Sequence, residues 1–156
     1  MLKSYSKINL FLKVLKKNNS GLHNIQSTTM LLHLHDIIKI KKIKKNKDEV
    51  IFTGLFKKDI KKDTNTVTST LLLLRRHNFI NQRNKYQIII NKKIPVFAGL
   101  GGGTGNAAAI IKYFLKNKIS SKLLEIFEKK IGSDLRLFSS NHSFQKNLKK
   151  IKIFKK

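Results

Sequence analysis

Residues 95–108 read PVFAGLGGGTGNAA. Five of the chain's eight glycines fall between Gly99 and Gly105, and its only proline, Pro95, opens the stretch. Glycines let backbone N–H groups turn inward and approach a ligand with no Cβ in the way. A helix beginning near Asn106 would add unpaired N–H groups and the positive end of its dipole. Strand, proline, glycine loop and helix in that order make an anion site suited to phosphates. No Gly-Lys-[Ser/Thr] closes the stretch, so it is not a P-loop, and no G-x-G-x-x-G can be threaded through it. The alternative is a flexible loop that lets a helix pack closely, at the folding-entropy cost of clustered glycines.

Residues 7–14, KINLFLKV, place Ile8, Leu10, Leu12 and Val14 in alternation with Lys7, Asn9, Phe11 and Lys13. Period two predicts a strand with one apolar face, and puts Lys7 and Asn9 together on the opposite one. Residues 16–24 form a turn-rich loop with Gly21 and His23. Further strands are expected at 25–40, 49–53 and 86–90, with a solvated lysine-rich edge or loop at 41–47. Helices are expected from Asn65 or Thr64 to about His77, over 106–116, and from Ser120 or Ser121 to Gly132. SDLRLFS, after Gly132, reads as a short strand or turn. Strands first, then helices and strands mixed, predicts an α+β fold with helices on one face of a mostly antiparallel sheet.

The chain has 156 residues, 40% of them hydrophobic, enough for one domain with a real core. Lys and Arg number 34 against 8 Asp and Glu, a net charge of +26 that attracts polyanions. AT-rich codons would produce the same Lys, Ile and Asn excess. The lysines are scattered rather than clustered with aromatics, so contact with nucleic acid is expected to be nonspecific at most. The absence of Cys excludes disulfides, Cys-ligated zinc and thiol chemistry. No apolar run reaches the ~18 residues of a membrane span, and the N-terminus lacks a signal-peptide core. A cytoplasmic protein without membrane contact is expected.

IPVFAGLGGGTGNAAA resembles the phosphate-binding loop of the GHMP small-molecule kinases. Its closest form is the GLGGGSSNAA of the branch that acts on diphosphocytidyl-methylerythritol in non-mevalonate isoprenoid precursor biosynthesis. Other landmarks follow in the same order. SKINLFLKV is similar to PAKINLFL, GLHNIQSTTMLLHLHDIIKI to GYHxLxTxFxxxxxxDxIxI, DTNTVTSTLLLL to NLxxRAxxLL, and KIGSDLRLF to GADVPFF. The resemblance implies a GHMP kinase N-terminal ATP-binding domain over residues 1–140, a fold shared with a ribosomal protein domain. It implies ATP and Mg²⁺, and phosphoryl transfer to an alcohol.

By the same resemblance, Asp134 would accept the hydroxyl proton and Lys7 would neutralise developing charge. Asn9 and His23 would contact the diphosphocytidyl substrate. The nucleotide would lie on Pro95, Val96, Phe97, Ala98, Gly99, Leu100, Gly101, Gly102, Gly103, Thr104 and Gly105, with the Thr104 hydroxyl available to Mg²⁺. Read alone, an Asp before a short element is commonly a cap, and a strand lysine or loop histidine is commonly just solvated.

The chain also departs from the pattern. Gly105 replaces a serine hydroxyl, and Leu22 replaces a tyrosine that stacks on cytosine. Arg136 replaces the proline of DVP, which is expected to leave the backbone after Asp134 less fixed. Family members run to about twice this length, with a second domain that nothing here resembles. Residues 141–156 read as a basic tail. A second chain completing the cleft is one expectation from this length; an inactive fragment or a basic RNA-binding remnant is another.

Overall fold

The computed structural model describes residues 1–17, 23–61, 64–116, 119–146 and 151–153. Two long strands, β1 (Leu2–Lys17) and β2 (His23–Ile43), pair antiparallel along most of their length. The other edge of β2 is shared. Residues 37–43 pair with β4 (Lys85–Asn91), and residues 27–30 pair with β5 (His142–Gln145). The sheet continues to β3 (Glu49–Thr53) beside β4 and to β6 (Ile151–Ile153) beside β5. Among the described residues only β3 and β4 run parallel, joined by the crossover helix α1 (Thr66–Arg76). Helices α2 (Gly102–Leu115) and α3 (Ser121–Ile131) and a 3₁₀ helix (Ser133–Ser139) complete an α+β domain.

The core lies between sheet and helices. Ile38 of β2 and Ile88 and Ile90 of β4 meet Leu71 and Leu74 of α1, Ala107 and Ile110 of α2, and Phe127 of α3. Asn65 caps α1, its side-chain oxygen accepting from the Val67 and Thr68 amides, while Arg75 and Arg76 occupy the dipole's negative end. Arg75 is buried and forks onto Asp48 at 2.7 and 2.8 Å in the turn before β3, and it donates to Asn81 O and Asn84 O in the turn before β4. Among the described residues no helix is long and apolar enough to cross a membrane.

Several sequence expectations change. β2 does not stop at residue 40. Lys41, Lys42 and Ile43 pair with Gln87, Tyr86 and Lys85, because strand pairing satisfies the backbone while the exposed lysines keep their charge in water. Helix α2 begins at Gly102, not at Asn106, so the last glycines of the cluster form its first turn. Residues 133–139, expected as a short strand or turn, form a 3₁₀ helix. The basic stretch from 141 contributes β5 and β6 to the sheet.

The alternation in β1 does not sort into one buried and one exposed face, because a β-bulge between Asn9 and Phe11 interrupts it. Leu10, Leu12 and Val14 are 57%, 53% and 61% exposed, while Lys7 is 7% exposed. Lys7, before the bulge, is covered by the start of α2 and the 3₁₀ helix, whereas beyond it Phe11 is 50% exposed along with Leu10, Leu12 and Val14.

Candidate active site

The glycine loop begins with a buried anchor. Asp36, fully buried in β2, pairs with the buried ammonium of Lys92 just past β4. The same carboxylate accepts from the backbone N–H groups of Lys93 at 2.7 Å and Ile94 at 2.9 Å. The chain is thus held at the exit of β4 before Pro95 turns it outward.

From there, left-handed φ recurs at every second residue: Phe97 at 61°, Gly99 at 71° and Gly101 at 70°. Alternating the sign of φ points successive N–H groups to one side, the concave arrangement that holds anions. Phe97 adopts this backbone at a strain cost, and its ring is 91% exposed. A Cβ on Gly99 would meet nothing within 4 Å, so the loop is open there. A Cβ on Gly101 would lie 2.8 Å from the Phe138 ring and 3.0 Å from Lys7 Cγ. Glycine at 101 therefore lets the lysine stem lie against the loop. Gly101 is also the N-cap of α2, with no side-chain capping bond, which leaves first-turn N–H groups for a ligand.

β1 meets this loop directly. The Lys7 amide donates to Leu100 O at 2.9 Å. The Lys7 ammonium lies 3.2 Å from Asp134 Oδ2 and donates to Asn9 Oδ1 at 2.6 Å. Asn9 Nδ2 in turn donates to Ser27 Oγ at 2.6 Å, and Ser27 Oγ donates to Phe11 O at 2.9 Å. A chain of polar contacts therefore runs from Asp134 through Lys7 and Asn9 into β2 and back to β1. Asp134 stands in the first turn of the 3₁₀ helix, its side chain one-third exposed. A part-exposed carboxylate beside a buried ammonium, next to an anion-binding loop, can take a proton from a hydroxyl and stabilise transferred charge.

Thr104 leads off the first turn of α2 toward this corner. Its Oγ1 lies 3.2 Å from where a Cβ on Gly132 would stand, two residues before Asp134. A side chain at Gly105 would instead meet the Tyr5 carbonyl at 3.0 Å and the Phe138 ring at 3.0 Å. A hydroxyl there would be turned into the seam between β1 and α2.

Arg136 does not loosen the backbone as expected. Its guanidinium forks onto Glu128 of α3 at 2.9 and 2.8 Å, tying the turn that carries Asp134 to the preceding helix. His23 opens β2 opposite Lys17, four residues before Ser27, about 13 Å along the strand. Its side chain, and Gly21 and Leu22 altogether, lie outside the described residues.

Sequence reasoning passed over Ser27, Asp36 and Lys92 as site residues. Ser27 shares the period-two face of Thr29 and was recoverable from spacing. The Asp36–Lys92 pair joins residues 56 apart, and only the register of β2 on β4 brings them together.

Residues 65–136 match the family described as GHMP kinases N terminal domain. That span runs from the cap of α1 through the glycine loop to just past Asp134. A 4-diphosphocytidyl-2-C-methyl-D-erythritol kinase of Pelagibacter ubique is 38% identical over 134 residues, covering 86% of this chain and 46% of that protein. One of Ureaplasma parvum is 38% identical over 143 residues, covering 90% of this chain and 53% of that protein. The chain thus spans about half the length of these curated relatives. The fold is similar to a crystal structure of 4-(cytidine 5'-diphospho)-2C-methyl-D-erythritol kinase, with a TM-score of 0.68 at 20% identity over 97% of this chain and 54% of that one. The chain belongs to the GHMP kinase family, whose N-terminal domain its sheet, helices and glycine loop form.

Proposed function

We propose that this chain contributes the nucleotide-binding half of a kinase site that uses ATP to phosphorylate the 2-hydroxyl of 4-diphosphocytidyl-2-C-methyl-D-erythritol. The observation that carries the reading is the Lys7–Asp134 contact of 3.2 Å, with the Lys7 amide bonded to Leu100 of the anion-shaped loop. The names of the 38% identical relatives supply the substrate.

In this reading the phosphates of ATP lie on Pro95–Gly105, where backbone N–H groups and the start of α2 meet negative charge. Thr104 would offer a hydroxyl to a phosphate-bound Mg²⁺, which would supply charge neutralisation when bound. Asp134 accepts the proton of the substrate hydroxyl as its oxygen attacks the γ-phosphorus, and ADP leaves. Lys7 stabilises charge on the transferring group, and Asn9 holds the ammonium in place. The diphosphocytidyl end of the substrate runs along β2 toward His23.

The test is ADP release by the purified chain with ATP, Mg²⁺ and this substrate, beside Asp134→Asn. Loss of a positioned general base lowers turnover by about 10²–10⁴-fold. Substrate-dependent turnover indifferent to Asp134→Asn overturns the assigned chemistry. A folded chain that binds no nucleotide overturns the reading of the loop.

A further inference from the structure

A second cleft lies on the far side of Gly105 from the loop mouth. It is bounded by the start of β1, one stripe of α2 and the end of the 3₁₀ helix, with a volume of ≈ 180 Å³. Gly105, Ala108, Ala109 and Lys112 follow helical spacing, so small residues open the gap and Lys112 closes one end. Its body is apolar, with Leu31, the alanines and Phe138 in the wall.

Lys3, Ser4 and Lys112 in its lining can each donate a hydrogen bond. The Lys112 ammonium donates to Phe138 O at 2.6 Å, and no carboxylate among the described residues pairs with it. Burial pushes its pKa down. Two of its three N–H bonds remain for another acceptor. Lys3 stands exposed at the rim. Ser4, 2% exposed, lines the same cleft, and its hydroxyl has no hydrogen-bond partner. A buried hydroxyl left unpaired is costly, and one anionic group would satisfy it while pairing with the Lys112 ammonium.

We propose that this cleft binds a small organic anion, one carboxylate or phosphate on a short apolar body, with the anion on Lys112, Ser4 and Lys3 and the body against Leu31, Ala109 and Phe138. The volume sets the size. A cavity of about 150 Å³ holds a benzene-sized body, whereas drug-sized ligands need roughly 300–1,000 Å³. The proposal does not depend on the kinase reading, since the cleft uses neither Asp134 nor the loop mouth.

The experiment is calorimetric titration of the full chain, at physiological salt, with butyrate, butyl phosphate, inorganic phosphate and butylamine. Butyrate or butyl phosphate is expected to saturate one site per chain with a Kd of about millimolar, as befits so few atoms. Whichever binds more tightly identifies the headgroup. Inorganic phosphate binds more weakly for want of an apolar body, and butylamine does not bind. Lys112→Met weakens binding by about tenfold or more, Ser4→Ala by a few fold, and Ala109→Leu fills the cleft and abolishes it. Urea midpoints measured on the same samples separate binding loss from unfolding, and Ser4→Ala removes only one unpaired hydroxyl. No saturable binding of either butyl anion overturns the proposal. So does binding unchanged by Lys112→Met and Ser4→Ala, which would be adsorption to the general positive charge.

Discussion

Asp36→Asn tests how the glycine loop is held. The substitution keeps size and shape, and the amide oxygen can still accept from the Lys93 and Ile94 backbones. What disappears is the charge opposite Lys92, whose ammonium is 3% exposed. Breaking a buried pair from one side costs about 3–5 kcal/mol, because an uncompensated ion stays behind. With an m-value of about 2 kcal/mol/M, a loss of about 4 kcal/mol lowers the urea midpoint by about 2 M. Lys92→Met leaves a carboxylate that still holds two N–H bonds, so its cost lies near the lower end, about 3 kcal/mol. The double variant leaves no ion behind and is expected to be more stable than Asp36→Asn alone. Equilibrium unfolding by urea, followed by circular dichroism, gives all three values. Amide exchange across 92–101 should accelerate in Asp36→Asn before the sheet opens. Additive losses in the double variant, or a midpoint shift below about 0.5 M for Asp36→Asn, would refute the reasoning.

Two further substitutions separate backbone strain from crowding, and one pH experiment follows from a surface carboxylate. Gly99→Ala and Gly101→Ala both force a side chain onto φ near 70°, but only at 101 does the Cβ meet Phe138 and Lys7. Gly99→Ala is expected to cost about 1 kcal/mol of stability, and Gly101→Ala about 1–3 kcal/mol more together with displacement of Lys7. Equal urea midpoints would show that Lys7 does not rest on the loop. The Lys45 ammonium, helped by the Gln87 amide, holds the Glu49 carboxyl below its ordinary 4.5. A depressed carboxylate stabilises the fold above its unfolded pKa and loses that effect as pH falls through the folded one. Glu49→Gln should therefore flatten the decline of the urea midpoint below pH 4.5. An unchanged acid limb would show that Glu49 contributes nothing there.

Local patterns in the sequence carried much of this site. Period two in KINLFLKV put Lys7 and Asn9 on one face, and their side chains meet at 2.6 Å. The glycine cluster located the loop and the helix after it. What local pattern could not say was which face of β1 is covered. Alternation specifies two faces, but a bulge between Asn9 and Phe11 interrupts it, and only packing decides that Lys7 lies under α2 while residues 10–14 stay exposed. The start of α2 was missed because glycine has poor helix propensity, whereas tertiary contact with β1 and Phe138 favours it at Gly105. Arg136 looked like the loss of a rigid proline, and its fork onto Glu128 became visible only with α3 in place. The lysine-rich end hid two strands because its charge outweighed the short alternation in HSFQ and IKI.

The sharing of one edge of β2 also orders events during synthesis. Residues 37–43 of β2 gain their partner once β4 has been made, but residues 27–30 wait for His142–Gln145, more than a hundred residues later. Pairing across so long a separation is slow, since the intervening loop must close before any contact rewards it. A nascent chain emerging from the ribosome therefore carries a bare strand edge beside the exposed Leu10, Leu12 and Val14 until residues 142–145 have been made. That combination of open edge and apolar surface is what chaperones bind and what aggregation exploits. The sheet that organises the site is complete only after the residues that compose the site have all been made.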